Sequence, residues 1–307
     1  MVICSRCKSN EAAIRIRYAK INLCIECFKK FYVNKLKRTI EEYHMINDGD
    51  IVAVAVSGGK DSAALLHALI NAYPKLEVKA VHINLGIEGY SNQCQEKVEE
   101  LAKQLDVELH IIDIKKEIGI SIDDFKKTKF KGKMCSVCGT VKRHIMDEVA
   151  MNIGANTIAT GHNMDDFMTF MIKNFITRQW NQLVKLKPVV PPVMSGMPKK
   201  IRPLIKFPAE ENMLYCYYTK IPVNEVECPH SKGAKTLEVM KILNELFEDE
   251  PNMKYQVLGS FLNLISLLEK AIKEGNVIPC RKCGFPSKDG LCSYCKRIEL
   301  LKSILLK

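Results

Sequence analysis

The chain alternates short apolar runs with longer segments whose apolar positions recur every three to four residues. The clearest run is Ile51–Val56, six apolar residues of which four are β-branched. Such a run predicts a short strand buried on both faces. It breaks at Ser57-Gly58-Gly59, and Ala63–Ile70 then reads as a helix. Further strands are predicted at Val78–Asn84, Glu108–Asp113 and Thr157–Thr160, with a short one at Val223–Cys228. Helices are predicted over Phe28–Tyr43, Ser91–Leu105, Asp166–Thr177, Glu210–Tyr218, Leu237–Phe247 and Tyr255–Ile272. Another, following Cys138, carries Val141, Ile145, Val149 and Ile153 in one apolar stripe. Proline and glycine interrupt the pattern between Pro188 and Pro198, and Lys199–Lys206 reads as a basic, extended segment able to lie against nucleic acid. Strands alternating with helices predict an α/β fold with a doubly wound parallel sheet. Ligands of such sheets bind beyond the strand C-termini, where the strand order reverses. Ser57, Asn84 and Gly161 fall at or just past predicted strand ends, so one nucleotide pocket is expected there.

Composition narrows this picture. A length of 307 residues suits about two domains. No apolar run reaches the roughly 18 residues that cross a bilayer, so no membrane partner is expected. Cys4, Arg6, Cys7 and Lys8 do not make a signal peptide, and a cytoplasmic location is expected. In that setting 13 cysteines argue for metal sites rather than disulfides. A net charge of +11 suggests a polyanionic partner.

The strand, glycine turn and helix start at Ile51–Ser62 make an anion site, because backbone N–H groups and the helix dipole converge there. Lys60 adds positive charge, and Ser57 and Ser62 add hydroxyl donors. The common nucleotide loop, G-x-x-x-x-G-K-[ST], is excluded: Asp61 follows Lys60, and Val54 stands where its first glycine belongs. Ser57-Gly-Gly-Lys-Asp-Ser62 resembles instead the signature of the PP-loop ATP pyrophosphatases, which cleave ATP between the α- and β-phosphates.

Cys4-x-x-Cys7 and Cys24-x-x-Cys27, separated by 16 residues, have the spacing of a structural four-cysteine zinc site. Such a site contributes on the order of 10 kcal/mol to folding. Cys280, Cys283, Cys292 and Cys295 repeat the pattern with a shorter inner gap, and a second structural zinc is expected. Cys94 and Cys216 fall in predicted helices and read as small buried hydrophobes. Cys135, Cys138 and Cys228 sit beside glycine or proline, read as loops near the pocket. They could hold three irons of a [4Fe–4S] cluster and leave one open. Alternatively, Cys135 and Cys228 could form a nucleophile and persulfide pair, or the group could be a zinc site or disulfide. Five lysines, at 126, 127, 129, 131 and 133, precede Cys135. Lys142 and Arg143 are expected in the first turns of the next helix, where they oppose the dipole. Asp165 and Asp166 are expected beside the phosphate site, as Mg²⁺ ligands, acid–base groups or helix caps.

Taken in order, the N-terminal ribbon, Ser57–Ser62, Cys135-Ser-Val-Cys138-Gly, Gly161-His-Asn-x-Asp-Asp166, Glu227-Cys228-Pro and the C-terminal ribbon resemble the tRNA 2-thiouridine synthetases over nearly the whole chain. That resemblance implies an adenine nucleotide alpha hydrolase-like PP-loop fold flanked by zinc ribbons. It also implies ATP, Mg²⁺, two zinc ions and a [4Fe–4S] cluster on Cys135, Cys138 and Cys228. Asp61, Lys142 and Asp166 are then the expected catalytic residues. ATP is expected on Ala55, Ser57, Gly58, Gly59, Lys60, Asp61, Ser62, His82, Asn84, Gly161 and Asp166. The expected partners are tRNA, a sulfur donor (sulfide or a carrier protein) and a second copy of the chain as a homodimer. The uracil C2 oxygen would be adenylated and AMP then displaced by sulfur, with basic segments at Lys29–Arg38, Lys126–Lys133 and Lys199–Arg202 holding phosphates. Phe167-Met168 departs from the family pattern after the aspartate pair. The expected organisation is a ribbon over 1–30, a helical linker over 31–47, a catalytic domain over 48–232, helices over 233–276 and a ribbon with tail over 277–307. The rival readings are cytidine thiolation, lysidine synthesis and a non-enzymatic tRNA-binding ribbon protein.

Overall fold

In the computed structural model, residues 1–231, 235–272 and 275–306 are described; the expected boundary at 232–233 lies outside them. A hairpin of β1 (Ile14–Ile16) and β2 (Ile21–Leu23) leads into α1 (Ile25–Glu42). Next come β3 (Ile51–Ala55), α2 (Lys60–Ala72), β4 (Glu77–Asn84), α3 (Ser91–Leu105), β5 (Glu108–Asp113) and short α4 (Ile114–Ile118). The middle of the chain forms α5 (Met134–Asn152), β6 (Thr157–Thr160), α6 (Met164–Ile176), α7 (Trp180–Leu183), β7 (Val189–Val190), β8 (Lys199–Ile201) and α8 (Ala209–Thr219). It closes with α9 (Lys235–Leu246), α10 (Met253–Ala271), the hairpin β9 (Ile278–Pro279) and β10 (Pro286–Ser287), and α11 (Ser293–Leu305).

Six strands make one sheet in the order β5-β4-β3-β6-β8-β7, parallel except for β7. From β3 the chain winds outward to β4 and β5, then returns to place β6 and β8 on the other side. The order therefore reverses between β3 and β6, the expected place for a ligand. Alternate residues of β3 face opposite layers, as strand geometry requires. Val52 and Val54 join the apolar core shared with α1, α2, α6 and α8, whereas Ala53 joins Ile158 and the α5 residues Val137, Val141 and Ile145. The doubly wound parallel sheet predicted from the sequence is the observed architecture.

Several local expectations are corrected. Lys199–Ile201 is the fifth parallel strand, not a free basic segment: Ile201 is buried, Lys199 pairs with Asp50 at 2.7 Å and Lys200 with Asp147 at 2.8 Å. The Lys35 ammonium, read as part of a basic surface, is enclosed by the rings of Tyr18, Phe207 and Tyr255 and bound to Glu211 at 2.7 Å. No strand forms over 223–228. Helix α5 begins at Met134, so Cys135 and Cys138 are helical, and Lys142 and Arg143 lie mid-helix. Helix α2 takes in Lys60, Asp61 and Ser62 as its first turn. The remaining helix ends shift by one to three residues, within the usual fraying.

Candidate functional site

The phosphate loop is shaped by close packing. Gly58 has φ +86°, and a Cβ there would come within 2.8 Å of the Cys94 carbonyl oxygen. A Cβ on Gly161 would lie 2.8 Å from the Ser62 nitrogen, so glycine lets the end of β6 rest on the first turn of α2. Gly59 caps α2 without any side-chain hydrogen bond. The first N–H groups of the helix thus stay free to meet an anion. The Ser62 hydroxyl donates to the Gly59 carbonyl at 3.0 Å and accepts from the Ser57 N–H at 3.0 Å, closing the loop on itself.

Asp61 is held from three sides. Its Oδ2 pairs with Lys60 at 2.9 Å, and its Oδ1 accepts from Asn212 at 2.7 Å and Asn163 at 3.1 Å. Fully buried Asn212 in turn accepts from the Tyr32 hydroxyl at 2.6 Å, which fixes its amide orientation. Asn163 caps α6 reciprocally with Asp166. Burial pushes Asp166 up to about 6 against the pull of the Asn163 N–H, and the Asp61 charge adds to the rise. Asp165, by contrast, is turned away: it is buried, paired with Lys254 at 2.6 Å and bound by the Ala209 N–H at 2.7 Å. The expected aspartate pair therefore splits, and only Asp166 faces the site.

A cavity of about 490 Å³ opens over this loop. Its loop end presents Ser57, Gly59, Asp61, Ser62, Gly161 and Asp166. Ala55, Val81, Ile83, Leu85 and Met146 give it an apolar floor, and Lys142 and Arg143 of α5 supply cations. His82 lines it with Nδ1 against the Val56 carbonyl at 2.8 Å, while its buried Nε2 has no partner. Since the carbonyl accepts, Nδ1 carries the proton and buried Nε2 is left as an unpaired acceptor. An elongated ligand with an anionic end and an apolar ring matches this lining, as ATP does. Gly58, Lys60 and Asn84 do not line the cavity. Asn84 instead braces the β4–α3 turn, donating to Asn92 at 3.1 Å and Gln95 at 2.8 Å and accepting from the Gly86 N–H.

Cys135, Cys138 and Lys142 occupy positions i, i+3 and i+7 of α5, one face of the helix. The Cys228 loop meets that face: the Cys135 thiol lies 3.5 Å from the His230 carbonyl, and the His230 ring binds Asp123 at 2.7 Å. Burial pushes the Cys138 and Cys228 thiols up, although Lys142 draws both down. A single zinc bound about 2.3 Å from each sulfur would gather the sulfurs tightly. Among the described residues two groups meet such a standard, with ligand atoms within 4.8 Å of one another: Cys4, Cys7, Cys24 and Cys27, and Cys280, Cys283, Cys292 and Cys295. The Cys135, Cys138 and Cys228 set is wider, as fits a polynuclear cluster with one cysteine on each of three irons. All 13 cysteines are free of disulfides.

The two four-cysteine groups share one chemistry. Burial opposes ionisation of Cys4, but the N–H groups of Cys24, Cys7 and Arg6 outweigh it and push the thiol down to about 6. Cys280 is likewise pushed down to about 6 by the N–H groups of Cys292, Lys282 and Cys283. The C-terminal group is also clamped onto α5. His144 stacks on Tyr294 at 3.8 Å, and Arg297 donates to the Ser136 carbonyl at 2.6 Å.

Sequence reasoning missed Tyr32, Asn163, Asn212, Asn224 and Arg297. Asn163 had a local signal, an N-cap residue followed three positions on by an acid. The others act across long sequence separations.

The family model described as the PP-loop domain matches residues 29–225. The chain is 37% identical over 304 residues to the tRNA-5-methyluridine(54) 2-sulfurtransferase of Pyrococcus horikoshii, covering 98% of this chain and 96% of the relative. It is 28% identical over 315 residues to the cytoplasmic tRNA 2-thiolation protein 1 of Xenopus laevis, covering 100% of this chain and 90% of that protein. The structure of the U34-tRNA thiolase NcsA from Methanococcus maripaludis, solved with its [4Fe–4S] cluster, superimposes with a TM-score of 0.81 at 26% identity, covering 96% of this chain and 95% of the other. The loop, the cavity and the matched length together place the chain in the PP-loop family of tRNA 2-thiolation sulfurtransferases.

Proposed function

We propose that this enzyme uses ATP to convert a tRNA uridine to 2-thiouridine, with position 54 as its target. The observation that carries the reading is one helix face: Lys142 stands in the nucleotide cavity, and Cys138 and Cys135 follow one and two turns away. An adenylating wall and a sulfur-delivering wall thus share α5. Position 54 is supported by similarity, 37% to the relative named for that position against 28% and 26% to the other two.

The N–H groups of the α2 start receive the β- and γ-phosphates as charge develops on departing pyrophosphate, and Lys60, paired with Asp61 outside the cavity lining, adds positive charge nearby. The uracil C2 oxygen attacks the α-phosphate, and Lys142 stabilises the charge between them. Asp61 and Asp166 are the groups to hold Mg²⁺, and the cation would offset the burial and the Asp61 charge that lift Asp166. Cys135, Cys138 and Cys228 would hold a [4Fe–4S] cluster, which would supply a site for the sulfide that replaces AMP at C2. Each four-cysteine group would hold one zinc ion as a structural site. Exposed Lys127, Lys129, Lys131 and Lys133 beside Cys135 supply phosphate contacts. Sulfur arrives as sulfide or from a carrier protein. A homodimer is supported by the exposed apolar residues Phe175, Ile176 and Trp180. Among the described residues no helix is long and apolar enough to cross a membrane, and a cytoplasmic location is supported by the name of the Xenopus relative.

The test is anaerobic reconstitution with iron and sulfide, then reaction with ATP, Mg²⁺, sulfide and unmodified tRNA, read by nucleoside mass spectrometry and fragment mapping. A thiolated uridine at position 54 is expected. Thiolation at position 34 would move the target, and thiolated cytidine or no thiolation would reject the reading.

A further inference from the structure

The segment over 223–231 has no regular structure, yet it touches both walls of the site. At its start, the Asn224 N–H donates to the Gly58 carbonyl of the phosphate loop at 2.8 Å. The Asn224 side chain does two further things. Its Nδ2 donates to the Cys94 sulfur at 3.1 Å, and its Oδ1 accepts from the Val226 N–H at 3.1 Å, closing an Asx turn. Cys94 is the residue against which Gly58 is wedged, so Asn224 grips the loop and the loop's backstop together. Four residues later comes Cys228, whose carbonyl accepts from the Ser231 N–H and hydroxyl. The far end is pinned by the His230 ring on Asp123 and by the Cys135 thiol on the His230 carbonyl.

Resting on the proposed thiolation, we infer that Asn224 is a positioning residue coupling occupancy of the phosphate loop to the placement of Cys228. Four residues span at most about 14 Å when extended, and here a turn shortens and stiffens them. A phosphate accepting from the Gly59 N–H polarises the Gly58–Gly59 peptide and strengthens its carbonyl as the acceptor for Asn224, so occupancy is passed into that turn and on to Cys228 without movement of the loop. Free of such a tie, the two walls would respond to their ligands independently. With it, activation of the base and readiness of the sulfur site are thermodynamically linked, and the link acts equally in both directions.

The coupling can be read without turnover. In the cluster-free protein, the alkylation rate of Cys228 by iodoacetamide is followed by peptide mass spectrometry, with and without ATP and Mg²⁺. In the native chain ATP should change that rate by about fivefold or more, the lower end of usual coupling strengths. Asn224→Ala should bind ATP within about twofold of the native chain yet lose most of the response. Asn224→Ser, whose hydroxyl can accept from the same Val226 N–H, should recover it. In the cluster-loaded protein, the visible circular dichroism should shift with ATP in the native chain and the Ser variant but not in the Ala variant. An intact ATP response in Asn224→Ala, or a native chain that binds ATP with no change at Cys228, overturns the inference and leaves the proposed reaction standing. A native chain that binds no ATP overturns the proposed reaction itself, and the inference with it.

Discussion

The phosphate loop is held rigid by everything around it, whereas the cysteine wall is held only at its edges. Gly58 and Gly161 are both wedged against neighbouring backbone, and Asp61 is fixed by Lys60, Asn163 and Asn212, the last locked by Tyr32. Facing it, Cys135 is exposed, and Cys138 and Cys228 are half-buried. Cys228 hangs on an irregular segment anchored at Asn224 and His230. The phosphate half is thus ready-made, since its ligand must be bound and distorted toward a transition state by groups already in place. The cysteine half leaves its final geometry to the group it binds, as metal sites commonly do.

This contrast predicts a graded series of effects. Cys135→Ala should abolish thiolation, lowering it more than about 100-fold, while its ATP affinity by calorimetry matches that of the cluster-free native chain. A matching fall in ATP affinity would mean that the walls are not separate. Lys142→Ala touches both walls and should lower the rate of adenylation about 10²–10³-fold with little change in thermal midpoint. A Lys142→Ala variant that still adenylates at the native rate would leave α5 as a purely structural bridge. Gly58→Ala forces a side chain into the Cys94 backbone at positive φ, and the strain should cost about 1–3 kcal/mol in urea unfolding and weaken ATP binding. Full tolerance would show that the loop is less constrained than its packing implies. Tyr32→Phe leaves the Asn212 carbonyl oxygen buried without its donor and should cost about 1–3 kcal/mol of stability. The smaller functional effect expected is a modest change in Mg²⁺ dependence as Asp61 loosens.

How much of this was legible in the sequence follows the same division. The buried run at Ile51, the glycines and the paired knuckles are local patterns, and each formed where expected. Lys199–Ile201 is extended as its sequence suggests, but its lysines look like a free charge run, and only the fold brings Asp50 and Asp147 to meet them. Gly132 and Gly139 bracket Cys135 and Cys138 and suggest a loop, yet packing of Met134, Val137 and Val141 extends the helix through both. Asp165 and Asp166 are adjacent in sequence but point to different partners, which no spacing rule reveals. Asn212 and Asn224 carry no motif at all; their roles exist only where α8 and the segment beyond it reach back to the loop.

The central claim, that adenylation and sulfur delivery are separate walls of one site, is tested most directly by tRNA-dependent pyrophosphate release from Cys228→Ala. The variant should release pyrophosphate within about twofold of the native rate and form no 2-thiouridine. Loss of pyrophosphate release together with thiolation, or retention of both, would contradict the account.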